Sequence, residues 1–415
     1  MSRSIFRGWL VVLGAALVIG FGGSTFLAAG YSILAAGLNR AFGWSRSELA
    51  LGATLFMLGQ MLAYPLCGWL VDRFGPRRMA LVGIAGFGAL LLVAGAVASL
   101  PQFYLVMIVM GAVSTLTNAL TYARAVSMWF VRRRGLAIGL AVGGTIFGAV
   151  LIPIGVERVI AAGDWASGWI AVGAVQLLAC LPIVALLVHD DPGAFGLKPD
   201  GESVQAAMTV GAHTSAQALR SRNFWLLALA FTAVGMAVFG VLTNSVQVMT
   251  EVAGLTGPQI AMAQALVGVG TLVGRVCVGY ALDRAPARAI GAAMFLITAC
   301  AIAGLAVLDR AHLMLTAAFV LGFSIGGEAD ILPYMISRYF GVTSMGRIYG
   351  LIGACFALGM TCGPISFAVL AAASGSVASP LFAFAALAGA ASLAFALMTP
   401  APALPVDARG AAAGA

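Results

Sequence analysis

The chain alternates long apolar runs with short polar interruptions. Each run extends over the ~20 residues that a helix needs to cross the hydrocarbon core of a bilayer. Twelve such runs predict spans at about 9–36, 48–70, 79–100, 103–128, 135–157, 168–188, 223–246, 258–281, 289–308, 312–337, 347–371 and 379–399. Six fall on either side of the one long polar segment, His189 to Arg222. The pattern predicts an all-α membrane protein with a six-helix bundle at 1–188, a linker at 189–222, a second six-helix bundle at 223–399 and a tail at 400–415. The linker contains Asp190-Asp191-Pro192, Gly196-Leu197-Lys198-Pro199-Asp200-Gly201 and a Ser/Thr/Gln tract, the make-up of a flexible tether. The first run is too long for the ~7–15-residue core of a signal peptide, so it reads as a retained span.

Composition agrees with the pattern. The sequence is 62% hydrophobic and 9% charged, against roughly 25% charged in soluble domains, which places it in a bilayer. The net charge of +8 invites a nucleic-acid partner, but the basic residues form no patch. They recur in the loops, where they set topology: sixteen lie on one side, among them Arg73, Arg132, Arg284 and Arg347, and four on the other, Arg40, Arg46, Arg158 and Arg310. That asymmetry puts both termini and the linker in the cytoplasm, and the expected location is a bacterial inner membrane. Arg124 and Arg275 remain, both inside spans. The six cysteines lie in apolar runs without C-x-x-C spacing, and the three histidines form no cluster with acids, so neither a metal nor a cofactor is expected.

The polar interruption Gly68-Trp69-Leu70-Val71-Asp72-Arg73-Phe74-Gly75-Pro76-Arg77-Arg78 has a degraded copy at Gly279-Tyr280-Ala281-Leu282-Asp283-Arg284, followed by Arg288. Gly68, Asp72 and Arg73 recur 211 positions later. The same offset relates Gly43 to Gly254, Gly59 to Gly270, Gly139 to Gly350, Gly148 to Gly359 and Pro153 to Pro364. A repeat in constant register predicts two pseudo-symmetric bundles. The first stretch resembles the signature loop between spans 2 and 3 of the major facilitator superfamily. Gly43-Trp44-Ser45-Arg46, Trp129-Phe130 with Arg132 to Gly139, and Arg338-Tyr339-Phe340-Gly341 with Gly346 to Gly350 resemble its monocarboxylate and oxalate/formate branch. The resemblance implies twelve spans working by alternating access. It also implies that Gly68, Asp72, Arg73, Gly75, Arg77 and Arg78, with Asp283 and Arg284, latch the two halves when the cytoplasmic side is closed. On physical grounds Asp72 suits the positive N-terminus of another helix, whereas a basic loop that only fixes topology would need no partner. The glycines of spans 5 and 11 fit either sliding surfaces or static helix packing.

Charges inside spans are the candidates for chemistry, because each costs ~2.5–3.5 kcal/mol at mid-bilayer on insertion scales. Arg275 in span 8 offers a fork of donors suited to a carboxylate, and in the monocarboxylate branch an arginine at the corresponding place holds the substrate carboxylate. Glu328 and Asp330 in span 10 lie ~15 and ~12 Å from the interfacial Arg338, and Arg275 lies ~12 Å from Asp283, so an Arg275–acid pair is possible by depth. The alternative is a permanently paired structural acid. Residues two apart point to nearly opposite helix faces, so one acid is expected at the cavity and the other behind it. Asp330 is the first choice for proton coupling because Tyr334 shares its face, with Glu328 second. Arg124 in span 4 is either a second anion contact or snorkels to the cytoplasm. Asn118 and Tyr122, spaced i, i+4 on the same span, are expected to add hydrogen bonds to a ligand.

The resemblance also has gaps. The span 4 tyrosine of oxalate/formate-like members would fall at Ala119, and span 11 has no basic residue beyond Arg347, which disfavours a dicarboxylate such as oxalate. The expected function is a secondary transporter of a small organic anion, a monocarboxylate, moved with a proton by a monomer in the lipid bilayer. No G-x-x-x-x-G-K-[ST] signature suggests ATP as the driving force. Proton-driven efflux of amphiphilic compounds is the main alternative, and a non-transporting nutrient sensor a further one. A membrane enzyme would need a nucleophile–base pair or metal cluster in the spans, and the sequence offers none.

Overall fold

The computed structural model describes residues 6–200, 214–308 and 310–400. Arg3, linker positions 201–213 and the tail from 401 onwards, with Arg409, lie outside the described residues. Among those residues, twelve helices are long and apolar enough to cross a membrane: α1 (Gly8–Phe42), α2 (Arg46–Phe74), α3 (Pro76–Ala94), α4 (Leu100–Trp129), α5 (Arg134–Ala162), α6 (Trp165–Leu187), α7 (Arg222–Thr243), α8 (Gly257–Leu282), α9 (Ala287–Val307), α10 (Ala311–Tyr339), α11 (Met345–Ser374) and α12 (Ala378–Ala396). The architecture is all-α, two bundles of six joined by the linker. The start of α1, the linker and the end of α12 share one side, hereafter the linker side.

The 211-residue repeat is visible in how the helices begin and end. Gly43 and Gly254 both adopt left-handed backbone, φ 70° and 59°, each closing a helix just before the next span. Two residues on, Ser45 with Glu48 and Thr256 with Gln259 form capping boxes that satisfy the first N–H groups of α2 and α8. Close helix contacts repeat as well. A Cβ on Gly148 would lie 1.6 Å from the Gly20 carbonyl oxygen, where α5 crosses α1, and one on Gly359 would lie 2.2 Å from that of Thr232, where α11 crosses α7.

Two helices are interrupted at the same depth. In α1, Gly22 is extended, and in α4 a 3₁₀ turn at Thr115–Thr117 leads to an extended Asn118. The two breaks satisfy each other: Gly23 N–H donates to Thr117 Oγ1 at 3.0 Å and Ser24 N–H to Asn118 Oδ1 at 3.3 Å. Irregular backbone inside a membrane is tolerated only with such partners. The break corrects the expected i, i+4 pairing on one helix face, because the extended Asn118 stands just before the second half of α4 and turns its side-chain oxygen to α1.

The linker departs from a free tether over its first residues. Asp190 Oδ1 accepts from Arg77 N–H at 2.6 Å, and Asp200 accepts from the N–H groups of Val131, Arg132 and Arg133 at 2.5–2.9 Å. His189 accepts from the Trp129 indole N–H at 2.9 Å through its carbonyl. Residues 189–200 are thus fastened across the linker side of the first bundle.

Candidate functional site

The bundles meet on the linker side through two crossings related by the repeat, α2 with α11 and α5 with α8. At the first, Gly68 faces Gly346 so closely that a Cβ on Gly68 would lie 2.0 Å from the Gly346 carbonyl oxygen. At the second, a Cβ on Gly135 would lie 2.4 Å from that of Gly279. With the backbones this near, the carboxylate one turn along each helix reaches the other helix's start. Asp72 accepts from Gly346 and Arg347 N–H, both at 2.8 Å, and Asp283 accepts from Gly135 and Leu136 N–H at 2.7 and 3.0 Å. All three partners shift by 211 residues from one crossing to the other. Each carboxylate therefore caps the N-terminus of a helix in the opposite bundle, where free N–H groups and the helix dipole favour negative charge. Burial pushes the Asp283 carboxyl above the ordinary carboxylate range, and the two N–H donors pull it part of the way back. Around these caps an apolar cluster spans both bundles, with Cys67, Val71 and Leu120 against Ile331, Met335 and Ile348.

The other signature residues do not cross the interface. Arg73 stacks over Trp69 and Phe74 of its own helix, and Arg284 over Tyr280. Arg77 donates to the Ala185 carbonyl at 2.6 Å and through its backbone to Asp190. Gly75 supplies the turn with φ 88°, and Arg78 has no polar partner among the described residues. Arg124 is a correction to the expected second anion contact. Its guanidinium pairs with Asp72 at 3.3 Å and donates to the Val71 carbonyl at 2.5 Å, so it snorkels to the linker side and steadies the cap.

Above the crossings lies a central cavity of about 270 Å³. Its lining comes from α1, α2, α4, α5, α7, α8, α10 and α11, and none from α3, α6, α9 or α12. Arg275 and Glu328 both reach it, although their residues are only 7% and 4% exposed. Arg275 Nη1 lies 3.4 Å from Asp330 Oδ1, a long contact between a guanidinium and a carboxylate that is completely buried. Asp330 sits behind Arg275, facing α5, where a Cβ on Gly139 would lie 3.1 Å from Asp330 Oδ2. The two acids thus take different faces of α10, as their spacing requires. Arg275 Nε, Glu328 Oε1, Asp330 Oδ2 and Asn118 Nδ2 are buried without a hydrogen-bond partner among the described residues. Such atoms are costly in a low-dielectric interior.

Two other expected contacts are not brought to the cavity. Tyr122 is wholly buried in the first bundle with Val126, Trp129 and Ile138, because the break at Asn118 turns it away from the lining. Tyr334 lies one turn nearer the linker side than Asp330, beside Arg288, Arg338 and Tyr339, and makes no hydrogen bond to Asp330. Conversely, the cavity contains groups that sequence reasoning passed over. Gln60 donates to Ser114 Oγ at 3.0 Å, and Tyr64 and Tyr349 line the same wall. The lone amide of Gln60 in an apolar span was a usable signal. The phenylalanines Phe231, Phe239 and Phe356 were not distinguishable from ordinary core residues.

A model of the Major Facilitator Superfamily matches residues 12–364. An uncharacterized MFS-type transporter, YhjX of Escherichia coli (strain K12), is 23% identical over 85% of this chain and 86% of its own. A chloramphenicol resistance protein of Streptomyces lividans is 30% identical over 74% of this chain and 79% of its own. Among solved structures, the proton:xylose symporter XylE bound to 6-bromo-6-deoxy-D-glucose is similar in fold, with a TM-score of 0.75 over 95% of this chain and 96% of that one at 17% identity.

Proposed function

The chain belongs to the major facilitator superfamily, and from that premise we propose that it is a secondary active transporter of a small organic monocarboxylate, moved with a proton by alternating access. The observation that carries the reading is the Arg275–Asp330 pair, a buried guanidinium at the cavity wall whose carboxylate partner is held behind it at 3.4 Å. An arginine paired on one edge still offers donors to a second carboxylate. Protonation of Asp330 releases Arg275, and the freed guanidinium captures the substrate carboxylate. Deprotonation later restores the pair and expels the cargo. Glu328, on the cavity face of the same helix, is the second candidate for the proton. The excess of basic residues on the linker side supports a cytoplasmic linker and termini in a bacterial inner membrane. The Asp72 and Asp283 caps then close the cytoplasmic side.

The test is uptake by proteoliposomes. Asp330→Asn should exchange substrate across the membrane yet lose accumulation driven by an imposed pH gradient. The same assay on Glu328→Gln separates the two acids, and accumulation by both neutral variants refutes coupling through α10.

A second reading, efflux of amphiphilic compounds, is favoured by the apolar side chains that dominate the lining, Ile19, Met57, Val238, Ile325, Leu332 and Met360 among them. Similarity to a chloramphenicol resistance protein points the same way. Export of a neutral or cationic amphiphile that survives Arg275→Lys would select this reading.

A further inference from the structure

The charged groups of the cavity account for one end of a ligand only. The charged ones are Arg275 of α8 and Glu328 of α10, with Asn118 of α4 in the same lining, while uncharged polar residues such as Ser24, Gln60, Thr145 and Tyr349 come from α1, α2, α5 and α11. Part of the wall formed by α7 and α11 is aromatic. Phe356 of α11 meets Phe231 and Phe239 of α7 edge to face, with ring centroids 6.0 and 6.2 Å away and interplanar angles of 76° and 83°. All three rings line the cavity. The arrangement is built into the backbone. A Cβ on Gly235 of α7 would lie 2.9 Å from Phe356 Cδ2, so the glycine leaves the slot in which this ring rests. Phe231 is fixed from behind by Phe295 and Phe395, at 5.7 and 6.2 Å. An aromatic cluster packed this way presents ring faces and edges at low entropic cost to a planar guest.

Volume narrows the guest. A cavity of about 270 Å³ far exceeds the ~10–15 Å³ that a single water site needs, so it has room for many waters. A three-carbon acid would leave much of that space as water against apolar walls. A drug-sized amphiphile fits only at the lower limit of the ~300–1,000 Å³ that such ligands occupy. A single ring with a carboxylate suits both the volume and the two chemistries.

We propose that the cargo is an aromatic monocarboxylate, its carboxylate held by Arg275 and its ring packed against Phe231, Phe239 and Phe356. This rests on the carboxylate reading of Arg275 and adds the ring. Arg275 Nε, buried without an acceptor among the described residues, is a donor that the Asp330 contact does not use.

The experiment is binding to the purified full chain in lipid nanodiscs, with benzoate, 3-phenylpropanoate, cyclohexanecarboxylate, lactate and tetraphenylphosphonium as probes. The aromatic acids should bind about tenfold more tightly than lactate, and Phe356→Ala should remove about that factor for them while leaving lactate unchanged. Phe356→Leu keeps apolar bulk in the slot, so it should weaken benzoate more than cyclohexanecarboxylate even if the alanine variant folds poorly. If lactate binds in an Arg275-dependent way and benzoate binds no better, the ring inference is overturned and the carboxylate reading stands. If tetraphenylphosphonium binds and no carboxylate does, both are overturned.

Discussion

Replacing Asp72 by asparagine tests whether the caps hold the linker side closed. The carboxylate accepts two backbone N–H bonds at 2.8 Å from the start of α11, and its side chain is only 5% exposed. Hydrogen bonds to a charged group contribute ~1.5–3 kcal/mol, and a partly buried charge at a helix terminus up to ~2 kcal/mol more. Asparagine keeps one acceptor and loses the charge, while its amide is cheaper to bury than a carboxylate. The net loss should be ~2 kcal/mol from the closed state, or about 30-fold in the closed-to-open ratio. Asp283→Asn acts at the other crossing and shares no partner with Asp72, so the double variant should lose ~4 kcal/mol, close to a thousandfold. The assay is a pulsed electron paramagnetic resonance distance between spin labels at Arg78 and Ala285, on opposite bundles at the linker side, in a cysteine-free background. The distribution should lengthen in either single variant and shift almost fully in the double one, with transport strongly reduced and membrane insertion intact. An unchanged distribution in the double variant refutes the cap as the closing device.

Arg275→Lys retains charge but loses the planar fork, and should lower carboxylate affinity roughly tenfold without loss of folded protein, as read by titration calorimetry. Gly135→Val places a side chain where a Cβ already lies 2.4 Å from the Gly279 carbonyl oxygen, so the variant should favour the conformation open at the linker side, detectable with the same spin labels. Asp200→Asn weakens three backbone contacts to residues 131–133 and should raise protease sensitivity near the linker start, while leaving ligand affinity unchanged.

The twelve spans and the repeat were legible in the sequence because both are written in features that survive without context. An apolar run long enough to span is visible by itself, and a constant offset of 211 residues identifies Asp283 as the partner of Asp72 although most of the loop around it has diverged. The Asp72 cap followed from its place at a helix end. Arg275 and the two acids of α10 stood out because charge inside a span is expensive. What stayed hidden depended on helix interruptions and on who packs against whom. Nothing in Thr115-Leu116-Thr117-Asn118 marks a break unless the matching break at Gly22 is known, and without it Tyr122 looked like a cavity residue. Arg124 was ambiguous because its length lets it reach either the cavity or the linker side. The role of Asp200 was hidden because a polar linker carries no periodicity from which docking is read.

One helix brings these elements onto a single line. The residues just before α5, Val131 to Arg133, are bound by Asp200 of the linker, its first turn supplies the N–H groups bound by Asp283, and Gly139, one turn further, lies against Arg275 and Asp330. At Gly139 a Cβ would be 3.0 Å from the Arg275 carbonyl oxygen, so the backbone of α5 is the wall that shields the ion pair on that side. Separating α5 from α8 to open the linker side therefore does two things at once. It breaks the Asp283 cap, and it withdraws the backbone that keeps water from Asp330 Oδ2. Under the proposed coupling through Asp330, an acid shielded when the cap is formed and hydrated when it is broken would exchange its proton with the linker side only in the open state. If Asp330 carries the proton as proposed, one helix serves as both latch strike and proton gate.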